Sequence, residues 1–151
     1  MDLYAGVGLF ALALADATGP AGVVLAVESD AHTVRDAKVN LRLHPEIELR
    51  RGKVERVLKP LVRQGVHADL VVLDPPRAGA GKSVMNDIAA LGPRAVAYVG
   101  CDPAALARDV AYAREAGYGI RSLRAFDAFP MTHHVECIAV FEPAEVAPAV
   151  R

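Results

Sequence analysis

The sequence predicts an open α/β sheet, mostly parallel with one antiparallel strand, and three observations carry that expectation. Short apolar runs rich in β-branched residues alternate with longer helical segments. Each run ends on a polar or glycine position. After Gly117 the rhythm changes to two extended runs with no helical segment between them. Continuous apolar runs of this kind suit parallel strands buried on both faces.

Asp2-Leu3-Tyr4-Ala5-Gly6-Val7-Gly8 reads as the end of a first strand running into a glycine turn. Few residues precede that turn, so the first strand is expected to be truncated and the chain to be the later portion of a longer protein. A helix follows near Leu9–Ala17, then a strand over Val23–Val27 and a helix near Ala31–Leu43. Ile47–Arg50 is a weaker strand candidate. Val54–Gln64 reads as helix, Leu70–Leu73 as strand, Ser83–Leu91 as helix and Ala95–Val99 as strand. The helix over Pro103–Ala116 has a start signal, Asp102 as N-cap with Pro103 at the first helical position, and a stop at Gly117. Tyr118–Phe126 and His134–Phe141 are extended runs around a turn-rich Asp127–His133, and they supply the antiparallel pairing. The chain divides into a domain over 1–142 and a Pro/Ala-rich tail over 143–151, expected to fray.

A length of 151 residues suits one domain with a real core, and a hydrophobic fraction of 53% excludes a disordered chain. No apolar run reaches the roughly 18 residues that span a bilayer, and no signal peptide opens the chain. Two cysteines far apart point to reduced thiols in the cytoplasm and not to a disulfide framework. A net charge of −1 argues neither for nor against nucleic acid.

Four places carry chemistry. Gly6-Val7-Gly8 joins a strand to a helix, where glycines let a cofactor approach the backbone, and Glu28 closes the next strand, where a carboxylate can accept from ribose hydroxyls. Ala11 stands where a third glycine of the dinucleotide fingerprint belongs, which favours a nucleoside cofactor without a pyrophosphate, such as S-adenosylmethionine. Asp74-Pro75-Pro76-Arg77 follows a buried strand, so its acid lies at the crevice where α/β sheets bind ligands. Cys101 has two readings: a small core residue, or a thiol just before a helix N-terminus that favours its ionised form while Asp102 opposes it. Glu136 shares a strand face with Ile138 and Val140, where a carboxylate is costly unless paired, functional or turned to solvent from an edge strand. Partial burial would make it a usable general base. Cys137 alternates onto the opposite face and reads as core. His133 and His134 are too few for a metal site.

The segments Asp2–Gly8, Asp74–Gly79, Cys101-Asp102-Pro103 and Phe129-Pro130-Met131-Thr132-His133-His134-Val135-Glu136-Cys137, taken in order, resemble the C-terminal methyltransferase domain of the RNA uracil-5-methyltransferase family. Its members make 5-methyluridine in tRNA and ribosomal RNA. The resemblance implies a Rossmann-like class I methyltransferase with a seven-stranded sheet, S-adenosylmethionine as cofactor and RNA as partner. It implies Cys101 as nucleophile and Glu136 as base. Tyr4, Gly6, Gly8 and Glu28 would serve the cofactor, with Asp74 beside it near the substrate. Family members also carry an upstream part of the catalytic domain, often with a small RNA-binding β-barrel. RNA affinity within this chain would fall to Arg42, Arg50, Arg51, Arg56 and Lys59, which equally suit a solvated face. Leu9 and Lys53 depart from the family's pattern. Two alternatives stay open: a non-catalytic module that binds cofactor or RNA, and an amino-group methyltransferase, which needs no cysteine.

Overall fold

The computed structural model describes residues 1–128, 131–132 and 135–144. Its elements follow the expected alternation: β1 (Asp2–Leu3), α1 (Leu9–Thr18), β2 (Val24–Glu28), α2 (Ala31–Asn40), β3 (Ile47–Arg51), α3 (Val54–Arg63), β4 (Leu70–Leu73), α4 (Gly81–Ala90), β5 (Ala95–Gly100), α5 (Pro103–Glu115), β6 (Tyr118–Phe126) and β7 (Glu136–Pro143). The described strands form one seven-stranded sheet in the order β3-β2-β1-β4-β5-β7-β6. β7 runs antiparallel to both of its neighbours, β5 and β6, and every other pairing is parallel.

Alternation of side chains across the pleat divides the sheet between two cores. Leu25, Val27, Val71 and Leu73 point to the core shared with α3, α4 and α5. Val24 and Ala26 point to the smaller core made with Ala11, Leu14 and Ala15 of α1 and Ala37 of α2. On β5 and β7 the pattern is one-sided. Val96, Tyr98, Cys137, Ala139 and Phe141 are buried, whereas Ala97, Val99, Ile138 and Val140 are only half-buried. Among the described residues α1 and α2 lie against β1, β2 and β3, and no helix covers the second face of β5 and β7.

Local chemistry sets the element ends. Asp30 caps α2 by accepting from the N–H groups of His32 at 2.9 Å and Thr33 at 2.8 Å. Asp102 caps α5 as expected, accepting from Ala105 N–H at 2.7 Å, with Pro103 at the first position. α2 stops at Asn40, short of the expected Leu43, because the chain must turn before Pro45. α4 begins at Gly81, two residues earlier than expected, because a carboxylate from another helix takes its first amides, as described below. β7 reaches Pro143 through two further pairs, Gly119 with Glu142 and Tyr118 with Pro143, and Ala144 N–H donates to Gly117 C=O at 2.8 Å. His134, at the start of the expected strand, and residues 145–151 of the expected tail lie outside the described residues.

Candidate active site

Because β1, β2, β4 and β5 are parallel, their carboxyl ends share one rim of the sheet, and Tyr4, Glu28, Asp74 and Cys101 all lie at or just past those ends. Beyond β1 the chain turns sharply. Tyr4, Gly6 and Gly8 take φ of 62°, 55° and 93°, in the left-handed region that favours glycine. A Cβ on Gly8 would stand 2.8 Å from Leu41 Cδ2, whereas one on Gly6 would meet no atom within 4 Å. The Glu28 carboxylate braces this turn. One oxygen accepts from Gly6 N–H at 3.0 Å; the other accepts from Ser29 N–H at 2.6 Å and Asp30 N–H at 2.8 Å.

Against this brace opens a cleft of about 390 Å³, lined by Tyr4, Val27, Glu28, Ser29, Gly52, Lys53, Val54, Glu55, Asp74 and Pro76. It brings Tyr4, Glu28 and Asp74 together, three of the five residues expected to serve a cofactor, and the other two form the turn beside it. Burial raises the Tyr4 phenol well above its ordinary range, helped by the charges of Glu55 and Asp109. Burial also raises the Asp74 carboxyl.

The second group forms across β5 and β7. Gly100 and Cys137 are the last paired residues of these antiparallel strands, so Cys101 and Glu136, the next residue on each chain, lie at the same end of the pairing. β7 is an interior strand, so Glu136 is not a charge on an outer edge. Glu136 is half-buried; its carboxyl is raised by burial and then by the negative charge of Asp74, which links Glu136 to the cleft. Cys101 is a free, half-exposed thiol immediately before the N-cap of α5. Cys137 is buried in the larger core, where burial raises its thiol. Phe129, Pro130, His133 and His134 lie outside the described residues.

The basic residues do not converge on the cleft as a patch. The Arg50 guanidinium is held by Glu48 at 2.6 and 3.2 Å, and Arg42 donates to Val39 C=O at 2.7 Å. Arg51, Arg56 and Lys59 are exposed. A second hollow, of about 670 Å³, opens at the amino ends of β2 and β4 and includes Arg50 but none of the expected catalytic or cofactor residues.

Three residues near the site were not singled out by sequence. Asp2 is fully buried beneath the glycine turn. Phe126 pairs directly opposite Glu136 on β6, and the Arg124 guanidinium lies 5.1 Å from its ring centre. Asp109 is fully buried on α5. Its signal was available: it falls on the same stripe as Ala105, Leu106 and Ala113, and an acid on an apolar helical stripe needs partners.

A sheet in the order 3-2-1-4-5-7-6 with only β7 reversed, and a cleft at the carboxyl ends of β1, β2 and β4, defines the class: this is a class I methyltransferase fold. NSun6 from Pyrococcus horikoshii has the same fold, with a TM-score of 0.76 at 15% identity over 95% of this chain and 47% of its own. The chain belongs to the tRNA (uracil-5-)-methyltransferase family, whose model matches residues 1–143. It is 57% identical over 145 residues to an uncharacterized RNA methyltransferase of Streptomyces avermitilis, covering 95% of this chain and 33% of the relative. A Streptomyces coelicolor relative with the same description is 54% identical, with 31% of its length covered. The crystal structure of the Pyrococcus abyssi tRNA (uracil-54, C5)-methyltransferase in complex with S-adenosyl-L-homocysteine matches with a TM-score of 0.75 and 30% identity, over 93% of this chain and 33% of that one. The chain therefore spans about a third of the length of the curated relatives it matches.

Proposed function

We propose that this chain is the catalytic portion of an S-adenosylmethionine-dependent enzyme that methylates carbon 5 of a uridine in RNA through a covalent cysteine adduct. The observation that supports the reading is the register of β5 against β7, which ends at Gly100 and Cys137 and leaves Cys101 and Glu136 as the next residues at the rim, with Asp74 of the neighbouring cleft acting electrostatically on Glu136.

The residues present fit the cofactor. Open space at the Gly6 Cβ position admits close approach to the backbone, and the Glu28 oxygen that accepts only from Gly6 N–H keeps a lone pair for a ribose hydroxyl at the end of β2. Tyr4, Gly6, Gly8, Glu28 and Asp74 would hold S-adenosylmethionine, which supplies an electrophilic methyl group when bound.

Carbon 5 of uracil is a weak nucleophile. The Cys101 thiolate adds to carbon 6, forming a C–S bond and shifting the 5,6 π electrons so that carbon 5 becomes enolate-like. Once carbon 5 carries the methyl group, Glu136 takes its remaining proton. The C–H electrons rebuild the 5,6 double bond, and the C–S bond breaks to release Cys101 as thiolate. A carboxyl raised by burial and by Asp74 holds that proton more firmly than an ordinary glutamate. The target uridine must be unstacked to reach this rim, which favours an accessible loop of a tRNA or ribosomal RNA in the cytoplasm.

Incubation with S-adenosylmethionine and RNA carrying 5-fluorouridine tests the reading, because fluorine at carbon 5 cannot be removed as a proton and the adduct is trapped. A covalent adduct that disappears in Cys101→Ala supports the mechanism, and an adduct that persists overturns it. Glu136→Gln should accumulate adduct on ordinary RNA; normal turnover by that variant would remove Glu136 from the role of base.

A further inference from the structure

Asp109 lies on α5, seven residues beyond the N-cap Asp102, and none of its surface meets solvent. Its carboxylate gathers three donors from two other parts of the chain. One oxygen accepts from Ala80 N–H at 2.6 Å and from the Tyr98 hydroxyl at 2.7 Å; the other accepts from Gly81 N–H at 3.1 Å. Ala80 and Gly81 open α4, whose own N-cap position supplies no side-chain cap. Asp109 therefore caps α4 from another helix, putting a negative charge against its positive end. Beside it Arg108 donates to Ala78 C=O. Gly79 permits the approach: its φ is +78°, and a Cβ there would stand 2.6 Å from the Asp109 carboxylate.

The two ends of this clamp matter because of what each carries. The loop between β4 and α4 begins with Asp74 and ends in the amides that Asp109 holds. Cys101 immediately precedes Asp102, the N-cap of α5, and Tyr98 lies three residues before that thiol on β5. We propose that Asp109 is a positioning residue that fixes the Asp74 loop relative to Cys101, so that the cleft-lining carboxylate and the nucleophile are held in one frame. The proposal rests on the uracil C5-methylation reading above. Asp109 itself stays buried and away from the reacting atoms.

Two variants break the clamp from opposite ends: Asp109→Ala removes the acceptor, and Gly79→Ala forces the loop away while keeping it. Among variants that stay folded by circular dichroism, each should slow adduct formation on 5-fluorouridine RNA at least tenfold at saturating S-adenosylmethionine, where weaker cofactor binding through a displaced Asp74 no longer enters the rate. The double variant should be no slower than the slower single one, because both remove the same restraint. An adduct rate within twofold of the parent in either variant, or losses that multiply in the double variant, overturns the proposal. If the parent forms no adduct, the methylation reading fails, and hydrogen exchange then judges the clamp. Faster exchange of the Ala80 and Gly81 amides in Asp109→Ala but not in Lys82→Ala supports it, and unchanged exchange in Asp109→Ala overturns it.

Discussion

Asp2 makes stability depend on pH in an unusual direction. The side chain is fully buried, and neither oxygen makes a hydrogen bond of good geometry, the Ala11 amide acting on it only weakly. Burial is the main cause that lifts its carboxyl from 3.8 to about 6; the charges of Asp74 and Glu28 push the same way, while the Ala11 amide and the chain's amino group pull it down. In the unfolded chain the group titrates near its ordinary value. Between those two pH values the native state keeps a proton that the unfolded chain has released, so stability falls as pH rises through the window. A rise from 3.8 to about 6 corresponds to about 3 kcal/mol at about 1.4 kcal/mol per pH unit. The penalty is absent below about pH 3 and nearly complete above about pH 6.5. Asp2→Asn has no charge to bury, so its stability relative to the parent should improve by about 3 kcal/mol between pH 3 and pH 7.5, or about 6–12 °C in melting temperature for a chain of this length. Urea denaturation of both proteins across that range isolates Asp2, since every other group titrates in each. A stability difference that stays flat with pH, or that moves in the parent's favour as pH rises, refutes the reasoning.

Gly8→Ala should cost about 2–4 kcal/mol, from left-handed strain plus the collision with Leu41, and lower the melting temperature by about 5–15 °C. Gly6→Ala has the strain without the collision and should lose clearly less; equal losses in thermal melts would count against the packing argument. Asp102→Ala removes the cap on Ala105 N–H and should cost about 1 kcal/mol, read as a lower urea midpoint with an unchanged slope. Asp74→Asn removes a charge that raises Glu136, so the acid limb of the methylation pH–rate profile should move to lower pH; a stationary limb would show that the two carboxyls do not communicate.

Most elements were legible because their determinants are local. Val71 and Leu73 announce a buried strand by composition, and Asp102-Pro103 announces a helix start by stereochemistry. β3 was the weakest strand to read because it is one of the two outer strands of the described sheet and its five residues are only half-buried or exposed. The start of α4 was misplaced because its cap comes from Asp109, almost thirty residues downstream, and no local pattern around Gly81 encodes that. Cys101 and Glu136 were marked individually by their places on their own elements. Their place at the same end of the pairing depends on the register of β5 against β7, which only the folded sheet supplies. Phe126 escaped notice for the same reason: its neighbour across the strand is Glu136, and nothing nearby in sequence says so.

The cleft has a consequence for the strands beneath it. Glu28 closes β2 and Asp74 follows β4, with β1 lying between those two strands. Any molecule that grips both carboxylates acts as a cross-brace. Its arrival would register at the Ala5 amide bonded to Val27 and the Val72 amide bonded to Met1, as slower hydrogen exchange.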